Sequence, residues 1–319
     1  MLISGFSFVR NADKLYYPLK ESILSIIDFV DEFILVYCEG DKGDQTLNIL
    51  NSITNPKLKI ITATWDIHHF PNGTIYAHLT DLAKSHCSGK WCFYLQADEV
   101  IHENDLLKIM GICKKYRSND RVEGIVFNYL HFYGNYNHYF SNHTWYRREI
   151  RIIKNHPDIH SWRDAQSFRF IPNFKDNDYY RTTNTRKLYC VLLDATVYHY
   201  GWVRPPALMH RKRDSTEQIY HGDSIVNEDS YFDYGRLDKA NMFTGTHPMV
   251  MNKKIPKLDW QDQLRYSGPV SLNRPLMKHE KWKYKIISFL EEQLFYGKTI
   301  GGYKNYHLLN PSSLTEDIE

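Results

Sequence analysis

Four times within the first 117 residues, a run of consecutive apolar residues gives way to a polar turn and then to apolar residues at helical spacing. The runs are 1–9, 33–38, 58–65 and 91–95. Between and after them come Leu19, Ile23, Ile26, Ile27 and Val30; then 47–53; then Ile75, Leu79, Leu82, Ala83 and His86; then Leu106, Leu107, Met110 and Cys113. Apolar residues at every position mark strands buried on both faces, and spacings of three and four mark the covered side of a helix. Strand–helix alternation with short turns predicts an α/β fold, a parallel sheet with helices on both faces. Pro18 suits a first helical turn. Asn104 is the expected cap of the helix after the fourth strand, with Lys114, Lys115 and Arg117 at its negative end.

The pattern then changes. Residues 124–132 and 188–200 are long, Tyr-rich and strand-like. Residues 133–187 read as polar, aromatic and irregular, and 201–275, rich in Pro, Gly, Asp and Arg, as a surface wrap. Helical spacing returns at 282–295, with Ile286, Ile287, Phe289, Leu290 and Leu294, and the tail after 310 is expected to fray. No internal repeat or low-complexity segment interrupts the chain.

Several function classes drop out. A formal net charge of +3 on 319 residues gives no basic surface of the kind that coats nucleic acid. The five cysteines form no C-x-x-C pair and no H-E-x-x-H occurs among the sixteen histidines, which disfavours zinc. Apolar neighbours suggest buried, reduced thiols and a cytoplasmic protein. The sequence opens directly on a strand, leaving no room for a signal peptide, and no run reaches the roughly 18 apolar residues of a membrane span. The sequons at Asn72 and Asn142 are then incidental. Tyr, at 24 residues, suits either sugars and bases or the edges of a sheet core.

The most chemically loaded stretch is 91–99, where an apolar run ends in Asp98 and Glu99. Carboxylates at the C-terminal end of a parallel strand are placed where open α/β sheets bind ligands. Hard oxygens there suit Mg²⁺ or Mn²⁺; the plainer alternative is an acidic helix start. The loop after the second strand carries Glu39, Asp41 and Asp44. These can accept hydrogen bonds from a ribose or base, or Asp44 and Thr46 can cap the next helix. The loop has two glycines but no G-x-x-x-x-G-K-[ST] pattern, so a P-loop is excluded.

Asn11 after the first strand, Val30-Asp31-Glu32 before the second, Asp44-x-Thr46 in the acidic loop and Gln96-Ala97-Asp98-Glu99 after the fourth occur in order across residues 1–110. Together they resemble a family 2 glycosyltransferase with a GT-A fold. The resemblance implies a Rossmann-related mixed, mostly parallel sheet flanked by helices, with an irregular C-terminal extension. Residues 1–117 would be the nucleotide-sugar half, 118–275 the acceptor-binding and catalytic half of the same domain, and 276–319 a C-terminal amphipathic helix and tail. It further implies an inverting, metal-assisted transfer to a glycan or lipid-linked acceptor, as in polysaccharide synthesis. In that family a strand-end Asp-x-Asp motif holds the metal and the donor diphosphate. Here Gln96 stands at its first position, so coordination falls to Asp98. For the second-strand acid that contacts the nucleotide, Glu39 and Asp41 compete; Asn11, Asp44, Gln96 and Arg204 complete the donor-binding set.

An inverting enzyme needs a base at the acceptor hydroxyl. Asp164, beside Trp162, is the first candidate, unless it merely pairs with Arg163 or Arg169; Glu149 is the alternative. Some enzymes of this fold add a late His to the metal, which makes His199 the candidate, although a lone His at a strand end is also a common structural residue. Arg204, Arg211 and Lys212 lie near enough in sequence to reach a diphosphate. Residues 278–285 mix Lys, His and Trp ahead of an apolar helix, which can lie on an anionic membrane at the inner face or pack on its own domain. Two rival functions remain. A nucleotidyltransferase would carry a Gly-rich loop after the first strand, which residues 8–13 lack. A non-catalytic glycan- or nucleotide-binding protein of the same fold is kept open by Gln96.

Overall fold

A computed structural model describes residues 1–221, 231–268, 274–294 and 304–314 of the chain. In order, the elements are β1 (Ile3–Val9), α1 (Leu19–Leu24), β2 (Glu32–Cys38), α2 (Thr46–Asn51), β3 (Leu58–Ala63), α3 (Thr74–Ser85), β4 (Trp91–Tyr94), β5 (Glu99–Ile101) and α4 (Leu106–Lys115). The second half holds β6 (Gly124–Tyr133), β7 (His138–Phe140), β8 (Arg148–Lys154), β9 (Ile159–Trp162), β10 (Ser167–Phe170), β11 (Arg186–Trp202), α5 (Pro206–His221), β12 (Asn241–Met242), α6 (Trp282–Gln293) and β13 (Tyr306–Leu308).

The main sheet runs β3-β2-β1-β4-β8-β6-β11-β10-β9. Its first four strands are parallel, as the alternation predicts, and β8 then inserts antiparallel between β4 and β6. Successive residues of one strand face opposite ways, so Phe33 and Leu35 join the side covered by α1 and α4, while Ile34 and Val36 join the side covered by α3. Trp91 locks one of these layers: its indole N–H donates to Cys113 O of α4 at 2.9 Å. The chain winds outward from β1 through β2 to β3, then returns to place β4 on the other side of β1. That reversal opens a crevice at the C-terminal ends of β1 and β4. The architecture is α/β, a GT-A-like, Rossmann-related mixed sheet flanked by helices.

Several expectations need correction. Residues 133–187 are not irregular: they hold four strands, and β8 is central to the sheet. β8 reads as polar because it buries Glu149, Arg151 and Lys154, each with internal partners. Residues 201–275 do not simply wrap the surface, since they contain the 16-residue α5. Asn104 is not the cap of α4: it lies in a 3-10 turn, Glu103–Asp105, that leads into the helix and is capped by His102, whose ring Nδ1 accepts from Asn104 N–H at 3.2 Å. At the tail, Leu314 packs into the core, while 315–319 lie outside the described residues, as does Phe295 of the expected last helix. All five cysteines are buried and unpaired. A third cluster, aromatic and centred on Tyr133, Phe140, Tyr200, Tyr234 and Trp260, consolidates the second half.

Candidate active site

The crevice at the β1/β4 switch holds a cavity of about 270 Å³. Asn11, the neighbours Gln96 and Asp98, Asp164 and His199, from four separate stretches of the sequence, all line it. Its remaining walls come from Phe8, Tyr17, Trp65, Tyr76 and Trp202, and from the inward side of α5 through Lys212, Thr216 and Tyr220.

The adjacent carboxylates Asp98 and Glu99 part company here. β5 pairs antiparallel with β11, setting Glu99 opposite His199, and Tyr200 N–H donates to Asp98 O at 2.8 Å. Glu99 turns into the interior. It accepts from Arg151 at 2.8 and 2.7 Å and from Tyr129 O–H at 2.9 Å, with neither charged side chain exposed. Asp98 instead faces the cavity. Burial alone would raise its carboxyl, but the cations around it, Lys212 first, outweigh that and hold it at about 2.

The His199 ring is set by a relay. Burial, then the neighbouring His199, push His131 well below the ordinary imidazole range, so it is neutral. Its Nε2 lies 2.7 Å from Tyr146 O, which only accepts, so that nitrogen carries the proton and Nδ1 a lone pair. His199 Nδ1, 3.0 Å away, therefore donates to His131. Burial also lowers His199 despite the attraction of Asp98. In the neutral form that burial favours, its Nε2 carries the lone pair and faces Asp98 Oδ2 across 3.7 Å. Two electron-pair donors confront each other, and the gap is kept by Gly201, where a Cβ would sit 2.5 Å from both atoms.

Cationic groups stand behind the gap. Lys212 Nζ donates to Gly201 O at 2.9 Å and to Asp98 Oδ2 at 3.3 Å. Burial and the charge of Arg204 bring its ammonium down to about 8 against the pull of Asp98. Arg204 does not line the cavity: it is fully buried, donating to Leu15 O and Gly201 O at 2.5 and 2.8 Å. Arg211 faces solvent.

The acidic loop after β2 does not line the cavity either; it holds residues that do. Asp41 accepts from Arg10 at 2.6 Å and from the Asn11 amide at 2.9 Å, and its own N–H donates to Asn11 Oδ1 at 2.7 Å. Asn11 needs these anchors because it adopts a left-handed φ of 55°. Asp44 accepts from Thr46 N–H, and Glu39 is exposed, its backbone O taking a bond from Arg10 Nε. Across the cavity, Phe8 and Trp65 both pack on Tyr76, at 5.7 Å each, and Arg10 lies over Trp65 at 5.2 Å.

Asp164 is half-buried on the loop between β9 and β10, flanked by Arg163 and Ala165 at φ of 57° and 61°. Its partner is neither Arg163 nor Arg169 but Tyr220 of α5, whose hydroxyl donates to Oδ2 at 2.8 Å. Tyr220 in turn needs Gly73, where φ is 81° and a Cβ would meet its ring at 2.8 Å. Glu149 is not brought to this cavity. It is fully buried, accepting from Ile150 N–H, Ser167 O–H and Asn305 at 2.9, 2.8 and 2.6 Å, and burial raises its carboxyl.

The residues that sequence reasoning missed are His131, Tyr220 and the aromatic wall. For Tyr220 one signal exists: Lys212, Ser215, Thr216, Ile219 and Tyr220 repeat at helical spacing, after a helix-starting Pro206.

No protein-family model and no curated protein sequence matches the chain. Among solved structures, it is similar to S. aureus TarS 1-349, alone and in complex with UDP, at 14% identity and a TM-score of 0.36. That likeness covers 68% of this chain and 64% of TarS 1-349, just under two thirds of its length. The mannosyltransferase PcManGT from Pyrobaculum calidifontis, in complex with GDP-Man and Mn²⁺, is similar at 17% identity and a TM-score of 0.29, over 39% of this chain and 34% of that one. HddC from Yersinia pseudotuberculosis is similar at 11% identity and 0.37, over 66% and 97%.

Proposed function

We propose that the chain is a glycosyltransferase that moves a sugar from a nucleotide-sugar donor to a glycan or lipid-linked acceptor with inversion. The observation that carries this reading is the gap between Asp98 Oδ2 and the unprotonated His199 Nε2, backed by Lys212 at the end of the crevice. A carboxylate and an imidazole lone pair are the donor set of a Mn²⁺ or Mg²⁺ site whose other positions go to diphosphate oxygens. A Cβ at Gly201 would fill the gap, so the residues present fit such an ion. When bound, it would neutralise charge on the departing diphosphate.

The remaining roles follow from placement. The wall of Phe8, Trp65 and Tyr76 offers flat faces to a base, with Asn11 and Arg10 at its edge. Lys212 supplies a fixed positive charge where negative charge develops on the leaving group. Asp164 accepts the proton of the acceptor hydroxyl as that oxygen bonds the sugar carbon; the carbon–oxygen bond to the diphosphate breaks and its electron pair leaves with the nucleotide. Tyr220 holds Asp164 on the cavity side. Glu149, buried on β8, takes no part in this scheme.

The test is a thermal-shift panel of UDP, GDP, CDP and dTDP, each with and without Mn²⁺, on the wild type and Asp98→Asn. Ligand at 100 times its Kd stabilises the folded state by about 2.7 kcal/mol, a shift of several degrees. One nucleotide should give a Mn²⁺-dependent shift that Asp98→Asn abolishes. No shift with any nucleotide would defeat the proposal. Asp164→Asn should keep the shift and lower turnover by about 10²–10⁴; unchanged turnover removes Asp164 as the base.

A further inference from the structure

The helix α6 has one fully buried side chain among the described residues, a charged one, and its apolar side chains are half-buried or exposed. Its inward side carries Glu291, fully buried, which accepts from His143 Nδ1 at 2.7 Å and pairs with Arg147 at 3.3 Å, while Ser288 Oγ accepts from His143 N–H at 3.1 Å. Its outward side carries Trp282, Ile286 and Phe289, exposed by 75%, 50% and 61%. Spacings of four and three place these on one stripe. Tyr284, Ile287 and Leu290 are only half-buried, whereas a helix packed on its own domain buries its apolar stripe. Large apolar residues gathered on one exposed face mark a surface that something covers.

The charges around the stripe indicate what covers it. Lys278, Lys281, Lys283 and Lys285 are all exposed, and the last two flank the stripe. Glu280, the acid among them, is taken up by Arg274 at 2.7 and 3.0 Å. Leu276, just upstream, is 52% exposed. A second copy of the chain would set these lysines against one another across a twofold axis, which like charges oppose. An apolar stripe with an aromatic anchor and flanking lysines matches an anionic bilayer, where the ring enters the acyl boundary and the ammonium groups reach the headgroups. Among the described residues, no helix is long and apolar enough to cross a membrane, so α6 would lie in the interface plane.

We propose that the outward face of α6, with Trp282, Ile286 and Phe289 inserted and Lys283 and Lys285 at the headgroups, binds an anionic lipid surface. This binding does not depend on the donor site. The test is flotation of the full chain with phosphatidylcholine vesicles, with and without about one-third phosphatidylglycerol, at low and high salt. The wild type should float only with the anionic vesicles and detach at high salt. Trp282→Ser/Phe289→Ser and Lys283→Gln/Lys285→Gln should each weaken binding on the order of tenfold or more. Both pairs are exposed, so the thermal midpoint should stay at the wild-type value, which separates lost docking from lost folding. Failure of the wild type to float with anionic vesicles, or variants that float as well as it does, would overturn the proposal. So would a concentration-dependent dimer that the Trp282→Ser/Phe289→Ser variant loses without any change in flotation.

Discussion

Adding one methyl group at Gly201 tests the active-site reading most directly. The new Cβ would lie 2.5 Å from both Asp98 Oδ2 and His199 Nε2, where ordinary contact begins near 3.4 Å. Both groups must retreat, each by about 0.9 Å if the backbone stays in place. Neither has free room. Asp98 is pinned through its backbone O to Tyr200 N–H and through Oδ2 to Lys212, and His199 through Nδ1 to His131. Gly201 has no left-handed φ, so the cost is this contact and not backbone strain. A displacement near 1 Å of catalytic groups costs on the order of 10²-fold in rate. Overpacking of this kind also destabilises by about 1–3 kcal/mol, lowering Tm by roughly 2–6 °C. Gly201→Ala should therefore fold, melt a few degrees early, lose most of the Mn²⁺-dependent nucleotide shift and turn over about 10²-fold more slowly. Initial-rate donor hydrolysis beside a melting curve reads both effects. Wild-type turnover with an intact metal-dependent shift would refute the claim that this gap is the reactive centre.

Other outcomes follow from groups outside the cavity. Arg151→Met leaves Glu99 charged, buried and without its bidentate partner, which should cost about 3–5 kcal/mol, or about 6–10 °C in Tm at roughly 2 °C per kcal/mol. The double variant with Glu99→Gln should recover part of that loss, and a double variant no more stable than Arg151→Met would contradict the pairing. Glu32 is opposed by burial, yet Lys59, Ser88 and Ser4 bring its carboxyl from 4.5 to about 2. A depressed carboxyl contributes stability that is present above 4.5 and lost as pH falls towards 2. Glu32→Gln should flatten denaturant midpoints across that window, and an unchanged acid slope would count against it. Tyr220→Phe should lower turnover while keeping the nucleotide shift, because it frees Asp164 without touching Asp98; loss of the shift would mean that Tyr220 serves the donor instead.

Local pattern alone determined the first half of the molecule. β1 to β4 and the helices between them announce themselves because each has an apolar side to bury, and burial imposes a period of two or 3.6 that survives in the sequence. The same logic placed Asp98 at a strand end and the five cysteines inside. The second half hid where the inward residues are polar. β8 buries Glu149, Arg151 and Lys154 and so reads as surface, and α5 turns Lys212, Thr216 and Tyr220 towards a cavity and so shows little apolar period. Sequence placed Asp98 beside Glu99 as equals; only the antiparallel pairing of β5 with β11 sent one to the cavity and the other to Arg151. The tautomer of His199, too, exists only because the parallel register of β6 with β11 sets His131 beside it. Periodicity records which side of an element is covered, and that is written in neighbouring residues. Which groups face each other across the site is fixed by strand register and by contacts between residues up to a hundred or more apart, and no local window contains them.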